Sequence, residues 1–344
     1  MSDRPTQRVT FSEERIASLI GSFAGKRIAV VGDLMLDRYV WGGVKRISPE
    51  APVPVVEVET ESTRLGGAAN VAQNIRSLGA EPVLVGLVGS DHAGEMLFEL
   101  MREAGMDTSG VIVDGTRQTT IKTRVIAHSQ HVVRIDIESR HPCPEALLPR
   151  VLDAVRYKIH TLDAILIEDY NKGTVTRALI AELLGVARKY DRIVTVDPKF
   201  DNFLEYKGVT LFKPNRREAE EVLGGRLRSD EDHERAGRRL LEMLEAENVL
   251  LTRGEDGLSL FRRTGEVLHL PSAAEHVEDV SGAGDTVIST MTVALAAGVP
   301  VHEACALANC AGGVVVASVG IVPVGPEELR KAALRCSHGP GGGV

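Results

Sequence analysis

Short apolar runs alternate with helix-compatible segments along most of the chain, and this alternation constrains the fold more than any other feature. The first run, Arg27–Asp33, is closed by Gly and Asp; later runs lie at Val83–Val88, Ala164–Ile167, Ile193–Val196 and Val249–Leu251, separated by helix-like segments such as 91–104, 174–189 and 230–245. Buried strands joined through helices predict an α/β fold with a mostly parallel sheet. Because such sheets bind ligands at the carboxyl ends of their strands, the end of the first run is a candidate ligand site.

Two segments break this alternation. Pro52–Val58 and Thr119–Ile137 alternate with a period of two and have no helix between their parts, which predicts a small antiparallel sheet with strands near 44–60 and 117–137. Neither a fixed repeat nor a Pro- or Ser-rich linker divides the chain. We therefore expect a polar leader over 1–26, one domain over 27–335, and a disordered tail over 336–344.

Charge and composition exclude several classes of protein. The 344 residues carry 40 basic and 48 acidic side chains, a net charge of −8, which argues against a nucleic-acid partner. The first twenty residues lack the apolar centre of a secretory signal, so we expect a cytoplasmic protein. The uncharged stretch Ala304–Pro326 is interrupted by Asn309, Gly312, Gly313 and Pro323, and predicts a buried helix with a loop rather than a membrane span.

The four cysteines do not have the spacing of a metal site. Cys143, Cys305, Cys310 and Cys336 form no CxxC pair, and His302 near Cys305 falls short of a ligand set. We expect reduced and mostly buried thiols.

The segment Asp279–Thr286 (DVSGAGDT) is a glycine-rich turn that leads into a helix-compatible run closed by Gly298 and Pro300. The first N–H groups of a helix lack helical partners, and the helix dipole adds a favourable potential for an anion. Asp285 falls in the first turn of this helix. It is either an ordinary capping acid or a carboxylate beside a phosphoryl-transfer site, where it could accept the proton of an attacking hydroxyl.

A second glycine-rich segment, Leu65–Gly79, opens a helix with Gly66 and Gly67. Glycines allow close backbone approach. Asn70, in the first turn, is either an ordinary surface residue or a hydrogen-bonding partner of a polyhydroxylated ligand.

Two familiar nucleotide-binding motifs are absent. No GxGxxG follows the first strand at Gly32, which removes the main support for a dinucleotide-binding dehydrogenase. Gly25-Lys26 lacks the glycine that a Walker A loop requires, so a nucleotide would have to be held in another way.

Taken together, GGAAN at 66–70 and DVSGAGD at 279–285 resemble the two signatures of the ribokinase-like (PfkB) carbohydrate kinases. Three more segments fit the same family in the same order: Gly32–Asp37, Asn215–Glu218 and Thr252–Gly257. The resemblance covers nearly the whole chain. It implies a central, mostly parallel sheet flanked by helices, a small β-sheet lid, and transfer of the γ-phosphoryl group of ATP to a sugar with Mg²⁺ as cofactor.

Within that family, three segments are similar to the stand-alone bacterial kinases of D-glycero-β-D-manno-heptose 7-phosphate: Arg46–Val55, Asp169–Gly173 and Asp197–Lys199. This similarity implies phosphorylation of the anomeric 1-OH, giving heptose 1,7-bisphosphate and ADP for ADP-heptose and lipopolysaccharide core synthesis. Val280 departs from the broad family pattern, in which many members carry Thr.

The resemblance also implies roles for individual residues. Asp285 would be the base, and the amides of Gly282, Ala283 and Gly284 would form the anion hole. Asp37, Gly67 and Asn70 would contact sugar hydroxyls. Arg124 and Lys172 are candidates for the sugar phosphate or, alternatively, solvated surface charges. The nucleotide side would contain Lys199, which could serve either phosphate, with Asn215, Thr252, Gly254, Gly257, Asn309 and Gly312. Glu218 would bind Mg²⁺ through water, or would be a solvated helix acid.

The lid strands would exclude water from the site, and because a lid face that is apolar and exposed tends to be covered, we expect a homodimer through the lid. Three alternatives stay open: a kinase of the same fold acting on ribose, fructose, a fructose phosphate or a nucleoside; a catalytically silent sugar-binding regulator; and a dehydrogenase, which would bind NAD.

Overall fold

The protein is built on one large and one small β-sheet in a computed structural model that describes residues 9–128, 130–274, 276–317, 320 and 322–338. The strands of the large sheet are β1 (Arg27–Gly32), β4 (Glu81–Gly89), β5 (Gly110–Asp114), β8 (Ala164–Glu168), β9 (Ile193–Asp197), β10 (Leu211–Phe212), β11 (Asn248–Thr252), β12 (Leu258–Arg262) and β13 (Val267–Leu270). Those of the small sheet are β2 (Leu34–Ile47), β3 (Pro54–Gly67), β6 (Thr120–Ala127) and β7 (Gln130–Ile137).

The helices of the described residues flank the large sheet. They are α1 (Glu13–Gly21), α2 (Ala68–Ser77), α3 (His92–Glu103), α4 (Leu148–Arg156), α5 (Arg177–Lys189), α6 (Arg216–Leu223), α7 (Asp230–Leu244), α8 (Ala283–Ala296), α9 (Val301–Val316) and α10 (Pro326–His338).

The large sheet has the order β13-β12-β11-β10-β9-β8-β1-β4-β5 within the described residues. Pairing is parallel from β11 to β5, which confirms the mostly parallel sheet. The last two strands pair antiparallel with their neighbours. Their connections are too short for a helical crossover, so β11, β12 and β13 form a meander at the edge of the sheet.

Alternate side chains of the parallel strands face opposite helical layers. In β1, Ile28 and Val30 belong to a core cluster that includes residues of α1, α2, α3, α8, α9 and α10. Ala29 and Val31 belong to a second cluster that includes residues of α4, α5, α6 and α7. Because both faces are buried, the central strands are continuously apolar, and this is why they were visible as uninterrupted runs in the sequence.

The small sheet corrects the expectation of a purely antiparallel arrangement. The pairs β2–β3 and β6–β7 are antiparallel, but β2 and β6 are parallel. The strands are also longer than the segments 44–60 and 117–137 suggested, because β2 begins one residue after Asp33 and β3 continues to Gly67. The small sheet therefore connects the end of β1 directly to the start of α2.

Both termini of the described chain differ from the predicted leader and tail. Helix α1 is part of the fold: Ile16 and Leu19 are buried, as is Phe23 after it, and the helix packs on α10. The spacing of these apolar residues was the missed signal. At the other end, α10 continues through 336–338, so this part of the predicted tail is helical. Residues 1–8 and 339–344 lie outside the described residues.

The uncharged stretch after Ala304 lies mostly in α9, which is buried against α8, α10 and the edge of the large sheet. None of the described helices has the combination of length and apolar character required to cross a bilayer. All four cysteines are free thiols, and Cys143, Cys305 and Cys310 are buried.

Two helix glycines provide a matched test of the packing between α7 and the meander. A Cβ added at Gly237 would lie 2.2 Å from the buried ring of Phe261, whereas one added at Gly185 in α5 would meet nothing within 4 Å. We expect Gly237→Ala to lower the free energy of unfolding by about 1–3 kcal/mol because the core must shift. Gly185→Ala should instead raise it by about 0.4–1 kcal/mol. Urea unfolding measures both, and equal effects would contradict the described packing.

Candidate active site

The carboxyl ends of three neighbouring strands bring acidic residues to one edge of the large sheet. The strands that follow β1 in the chain lie on both of its sides, with β4 and β5 on one side and β8 to β13 on the other. The carboxyl end of β1 is therefore a topological switch point. Asp33 follows β1, Glu168 ends β8 with Asp169 directly after it, and Asp197 ends β9; all four are buried. Strand order, which the sequence did not supply, is what groups these residues.

Asp33 fixes the loop that follows β8. Its carboxylate accepts hydrogen bonds from the backbone N–H groups of Tyr170 at 2.8 Å, Lys172 at 3.0 Å and Thr174 at 3.0 Å. Charge-assisted bonds of this kind are stronger than neutral ones. The side chain of Asp33 therefore positions the segment 170–174 over the switch point.

Asp285 lies at the centre of the site. It is in the first turn of α8, after the cap residue Gly282, whose φ of 77° is in the left-handed region that favours glycine. Its Oδ2 accepts a hydrogen bond from Asn70 Nδ2 at 2.6 Å, and its Oδ1 accepts one from the Tyr170 hydroxyl at 2.9 Å. Burial raises the pKa of Asp285 to about 6, and these two hydrogen bonds oppose that rise.

The sequence identified Asp285 and Asn70 separately, and the structure places them in contact. Asn70 therefore contacts the predicted base, which no sequence pattern indicated. Tyr170 was not predicted, although it lies inside the quoted segment Asp169–Gly173. Its burial raises its pKa well above the ordinary tyrosine value, so it remains a hydrogen-bond donor at neutral pH.

Glu168, Asp197 and Asp285 each place one oxygen within 4.8 Å of the others. Glu168 Oε2 is buried without a hydrogen-bond partner among the described residues. Burial, with Asp197 and Asp285 nearby, raises the pKa of Glu168 well above its usual range, so it binds a proton more readily than an ordinary glutamate. The proximity of the three carboxylates therefore favours protonation of Glu168.

Lys213 supplies a positive charge to the same cluster. Its ammonium is 2.7 Å from Asp197 Oδ2, and it would lie 3.5 Å from a Cβ added at Gly284. Burial alone would lower the pKa of Lys213, but the neighbouring Asp197 raises it. Lys213 was not predicted from the sequence, although its place directly after the apolar Leu211–Phe212 was an available signal. It lies beside the glycine-rich turn predicted to hold an anion.

The residues predicted to form an anion hole lie at the start of α8: Gly282 is its cap residue, and Ala283 and Gly284 are its first two residues. The Ser281 N–H donates to Asp279 Oδ1 at 2.9 Å, which shapes the turn before α8. Of the three predicted amides, that of Ala283 already donates weakly to the carbonyl of Val280 at 3.3 Å. The amides of Gly282 and Gly284 are the more suitable donors to a phosphate.

On the sugar side, the two predicted phosphate-binding cations already have carboxylate partners. Arg124 on β6 is paired with Asp37 on β2, and Lys172 is paired with Glu138. Gly66 and Gly67 allow Asp37 and the backbone of Asp33 to lie close to the main chain at the end of β3. A Cβ added at Gly66 would lie 2.3 Å from Asp37 Oδ2, and one added at Gly67 would lie 2.4 Å from the Asp33 carbonyl oxygen. The φ of Gly67 is 57°, which also favours glycine.

On the nucleotide side, the N-x-x-E motif forms a capping box at the start of α6. The Asn215 side chain accepts from the Glu218 N–H, and Glu218 Oε2 accepts from the Asn215 N–H, both at 2.9 Å. Glu218 Oε1 is paired with Lys199. Burial alone would lower the pKa of Lys199, but the neighbouring carboxylates of Asp197 and Glu218 raise it above its usual value. The lysine therefore stays charged. The motif therefore has a structural role as well as its predicted ligand role.

The remaining nucleotide-side candidates fall into two groups. Thr252, at the end of β11, forms an isolated bridge with Asn215, and Gly254 and Gly257 form the turn that follows. Asn309 and Gly312 on α9 have packing contacts: Asn309 Nδ2 donates to the Pro271 carbonyl at 2.8 Å, and a Cβ at Gly312 would be 3.1 Å from Val287. The structure thus places Thr252 next to Asn215. Asn309 and Gly312 on α9 instead contact neighbouring elements of the fold.

The amino end of a helix at the switch point of a parallel sheet is a place where proteins bind small phosphorylated ligands. The chain belongs to the pfkB family of carbohydrate kinases, because the family profile described as "pfkB family carbohydrate kinase" matches residues 26–326. The expected kinase family is therefore confirmed.

Named relatives are similar over nearly the whole chain. The chain is 43% identical over 328 residues to the bifunctional protein HldE of Geobacter sulfurreducens, covering 95% of this chain and 67% of the relative. It is 44% identical over 317 residues to that of Pelobacter propionicus, covering 92% and 65%. The chain thus spans about two thirds of the length of the curated relatives it matches.

Solved structures confirm the ribokinase-like fold. The ribokinase of Arabidopsis thaliana complexed with ribose and ATP is 19% identical with a TM-score of 0.71, covering 90% of this chain and 99% of that one. Phosphofructokinase-2 of Escherichia coli in complex with potassium is 18% identical with a TM-score of 0.76, covering 91% and 99%.

The environment of Asp285 predicts a pH dependence. A base with a pKa of about 6 must lose its proton to act, so kcat/KM should fall as the pH drops through that value. Tyr170→Phe removes a hydrogen bond that lowers this pKa, and should move the acid limb upward by up to about one pH unit. Phosphoryl-transfer rates from pH 5 to 9 measure the shift. A limb that stays in place or moves downward would contradict the role of this bond.

Proposed function

We propose that the chain transfers the γ-phosphoryl group of ATP to the anomeric 1-OH of D-glycero-β-D-manno-heptose 7-phosphate. The observation that carries this proposal is the buried carboxylate of Asp285, held between Asn70 on the sugar side and the amino end of α8 on the phosphate side. The acceptor is supported by the similarity of Arg46–Val55 and of the segments after β8 and β9 to the heptose kinases. The product would supply ADP-heptose and lipopolysaccharide core synthesis.

The geometry suits general base catalysis. Asp285 would take the proton of the sugar hydroxyl as the new O–P bond forms, and the bond from the γ-phosphorus to ADP would break, with its electron pair leaving on ADP. With a pKa of about 6, Asp285 is largely ionised at neutral pH. A positioned base contributes roughly 10²–10⁴-fold. Alignment and charge stabilisation supply the rest, since phosphoryl transfer leaves little covalent work for the protein.

The positive groups around the turn suit the charge that develops on the phosphates. Lys213 lies beside Gly284, and the first N–H groups of α8 point out of the helix end. Lys199 is paired with Glu218 and packs 5.2 Å from the Tyr170 ring centre. We propose that Lys199 exchanges this carboxylate for a nucleotide phosphate.

Glu218 fits a water-mediated contact with Mg²⁺. Both of its oxygens already accept one hydrogen bond, from Asn215 and Lys199, and a carboxylate oxygen can accept a second. Direct coordination would displace the lysine, whereas Mg²⁺ commonly keeps its waters. When bound, Mg²⁺ would neutralise phosphate charge. ATP and reduced thiols are features of the cytoplasm, where we propose this activity takes place.

The test of the function is ADP release with a panel of acceptors. We expect activity on heptose 7-phosphate well above that on ribose, fructose, fructose 6-phosphate and nucleosides. Activity on free ribose with none on heptose 7-phosphate would overturn the proposed substrate. The absence of turnover with every acceptor would favour a silent sugar-binding regulator.

The role of Asp285 can be separated from that of a helix cap. Asp285 and Asp232 occupy the same position, the third residue of α8 and of α7. We expect Asp285→Asn to lower kcat by at least about 100-fold with ATP binding retained, because the amide cannot accept the proton. Asp232→Asn, the matched control, should leave kcat within about twofold. A fully active Asp285→Asn protein would remove Asp285 from its role as base.

We also propose that the protein is a homodimer through the small sheet. β7 is an edge strand of that sheet, and Val133, Ile135 and Ile137 on one of its faces are 49%, 52% and 45% exposed. Unpaired edges with apolar side chains are usually covered. A second copy of this sheet would cover them.

The predicted dimer is sensitive to charge on this face. We expect Ile135→Glu to convert the protein to a monomer, as measured by light scattering after size exclusion, because it would bury an unpaired carboxylate. Tyr157→Glu, at a side chain 84% exposed after α4, is the control and should not change the mass. A monomeric wild-type protein at micromolar concentration would contradict the proposal.

A further inference from the structure

Lys122 on β6 lies in register between two carboxylates that are already paired. Its neighbour on β2 is Asp37, and its neighbour on β7 is Asp136. Asp37 is bound by Arg124, and Asp136 is bound by Arg134 at 3.0 Å. Among the described residues, no carboxylate lies within ion-pair distance of the Lys122 ammonium, although two lie on the adjacent strands.

The ammonium of Lys122 points toward the centre of the site. Its Nζ is 5.0 Å from the ring centre of Tyr170, whose hydroxyl donates to Asp285. One tyrosine side chain therefore separates this cation from the predicted base. A ligand with its reacting hydroxyl at Asp285 and an anionic group at the other end would reach both.

The surroundings of Lys122 disfavour an unpaired charge. Burial lowers its pKa, and the nearby Lys172 lowers it further by repulsion. Two ammonium groups close together in a half-buried position cost free energy unless an anion lies between them. The Tyr170 ring and the carboxylates of Asp37 and Asp136 offset part of this cost, and an anionic ligand would offset the rest.

We propose that Lys122, together with Lys172, binds the phosphate group of a phosphorylated sugar and thereby selects sugar phosphates over free sugars. This inference rests on the proposed function and deepens it by naming the specificity-determining residue. A phosphate monoester is a dianion with three acceptor oxygens, which suits two ammonium donors. Arg124 is then a positioning residue that orients Asp37, rather than the phosphate ligand considered from the sequence.

The experiment compares Lys122→Met, Lys122→Arg and a control, Lys45→Met, at a lysine on β2 that is 73% exposed and paired with Glu57. Calorimetric binding and steady-state rates are measured with heptose 7-phosphate and with the same heptose lacking phosphate. We expect Lys122→Met to weaken binding of the phosphate ester by roughly 10- to 100-fold, and binding of the free sugar by less than about twofold. Lys122→Arg should retain most of the discrimination, and Lys45→Met all of it.

The melting temperature distinguishes a binding role of Lys122 from a structural one, because removal of a side chain that stabilises the fold would lower it. Because Lys122 is a half-buried cation held near another, Lys122→Met should melt at the same temperature as the wild type or higher. Inorganic phosphate, used as a probe, should raise the melting temperature of the wild type more than that of Lys122→Met.

The outcomes separate this inference from the proposed function. If the wild type does not phosphorylate heptose 7-phosphate but binds fructose 6-phosphate in a Lys122-dependent manner, the proposed function fails and this inference holds. If the wild type phosphorylates heptose 7-phosphate and Lys122→Met weakens both sugars equally, or neither, the inference fails alone. A wild type that binds no phosphorylated sugar more tightly than its free form also overturns it.

Discussion

The hydrogen-bonded burial of one carboxylate, Asp285, is the constraint on which the rest of the site depends. Removing the carboxylate from water raises its pKa toward the useful range, while Asn70 and Tyr170 limit that rise and fix both oxygens. Each partner comes from a different part of the chain: Asn70 follows the small sheet, and Tyr170 lies in the loop that Asp33 holds. The proposed base is therefore positioned by the junction of two sheets, since no single element carries both of its partners.

Charge balance is the second organising feature. Glu168, Asp197 and Asp285 lie close together, and their repulsion is offset by the ammonium of Lys213 and by the tendency of Glu168 to hold a proton. On the proposed sugar side, Arg124 and Lys172 are paired with carboxylates, whereas Lys122 lies in no ion pair among the described residues, and for it we infer a phosphate partner. The site thus combines carboxylates that are compensated within the protein with cations that we propose bind the phosphate groups of the two substrates.

The sequence was sufficient for elements that carry their own pattern. The parallel strands are buried on both faces and appear as apolar runs. The turn before α2 needs glycine because backbone and side chains approach closely there, and Gly282 before α8 has a positive φ that favours glycine. The sequence was insufficient where partners are distant in the chain. The contact of Asn70 with Asp285 spans 215 positions, and the role of Lys213 depends on the order of β9 and β10. Helix α1 was not predicted because a few apolar residues at helical spacing within a charged segment are a weak signal. The parallel pairing of β2 with β6 was not predicted because a period of two does not reveal strand direction.

The central claim is that Asp285 faces both a sugar hydroxyl and the terminal phosphate of the nucleotide. A crystal structure with heptose 7-phosphate and a non-hydrolysable ATP analogue tests it most directly. The account predicts an Asp285 oxygen within about 2.6–3.2 Å of the anomeric oxygen, with that oxygen in line with the γ-phosphorus. An Asp285 side chain turned away from both ligands, with the anomeric oxygen hydrogen-bonded to another residue, would contradict it.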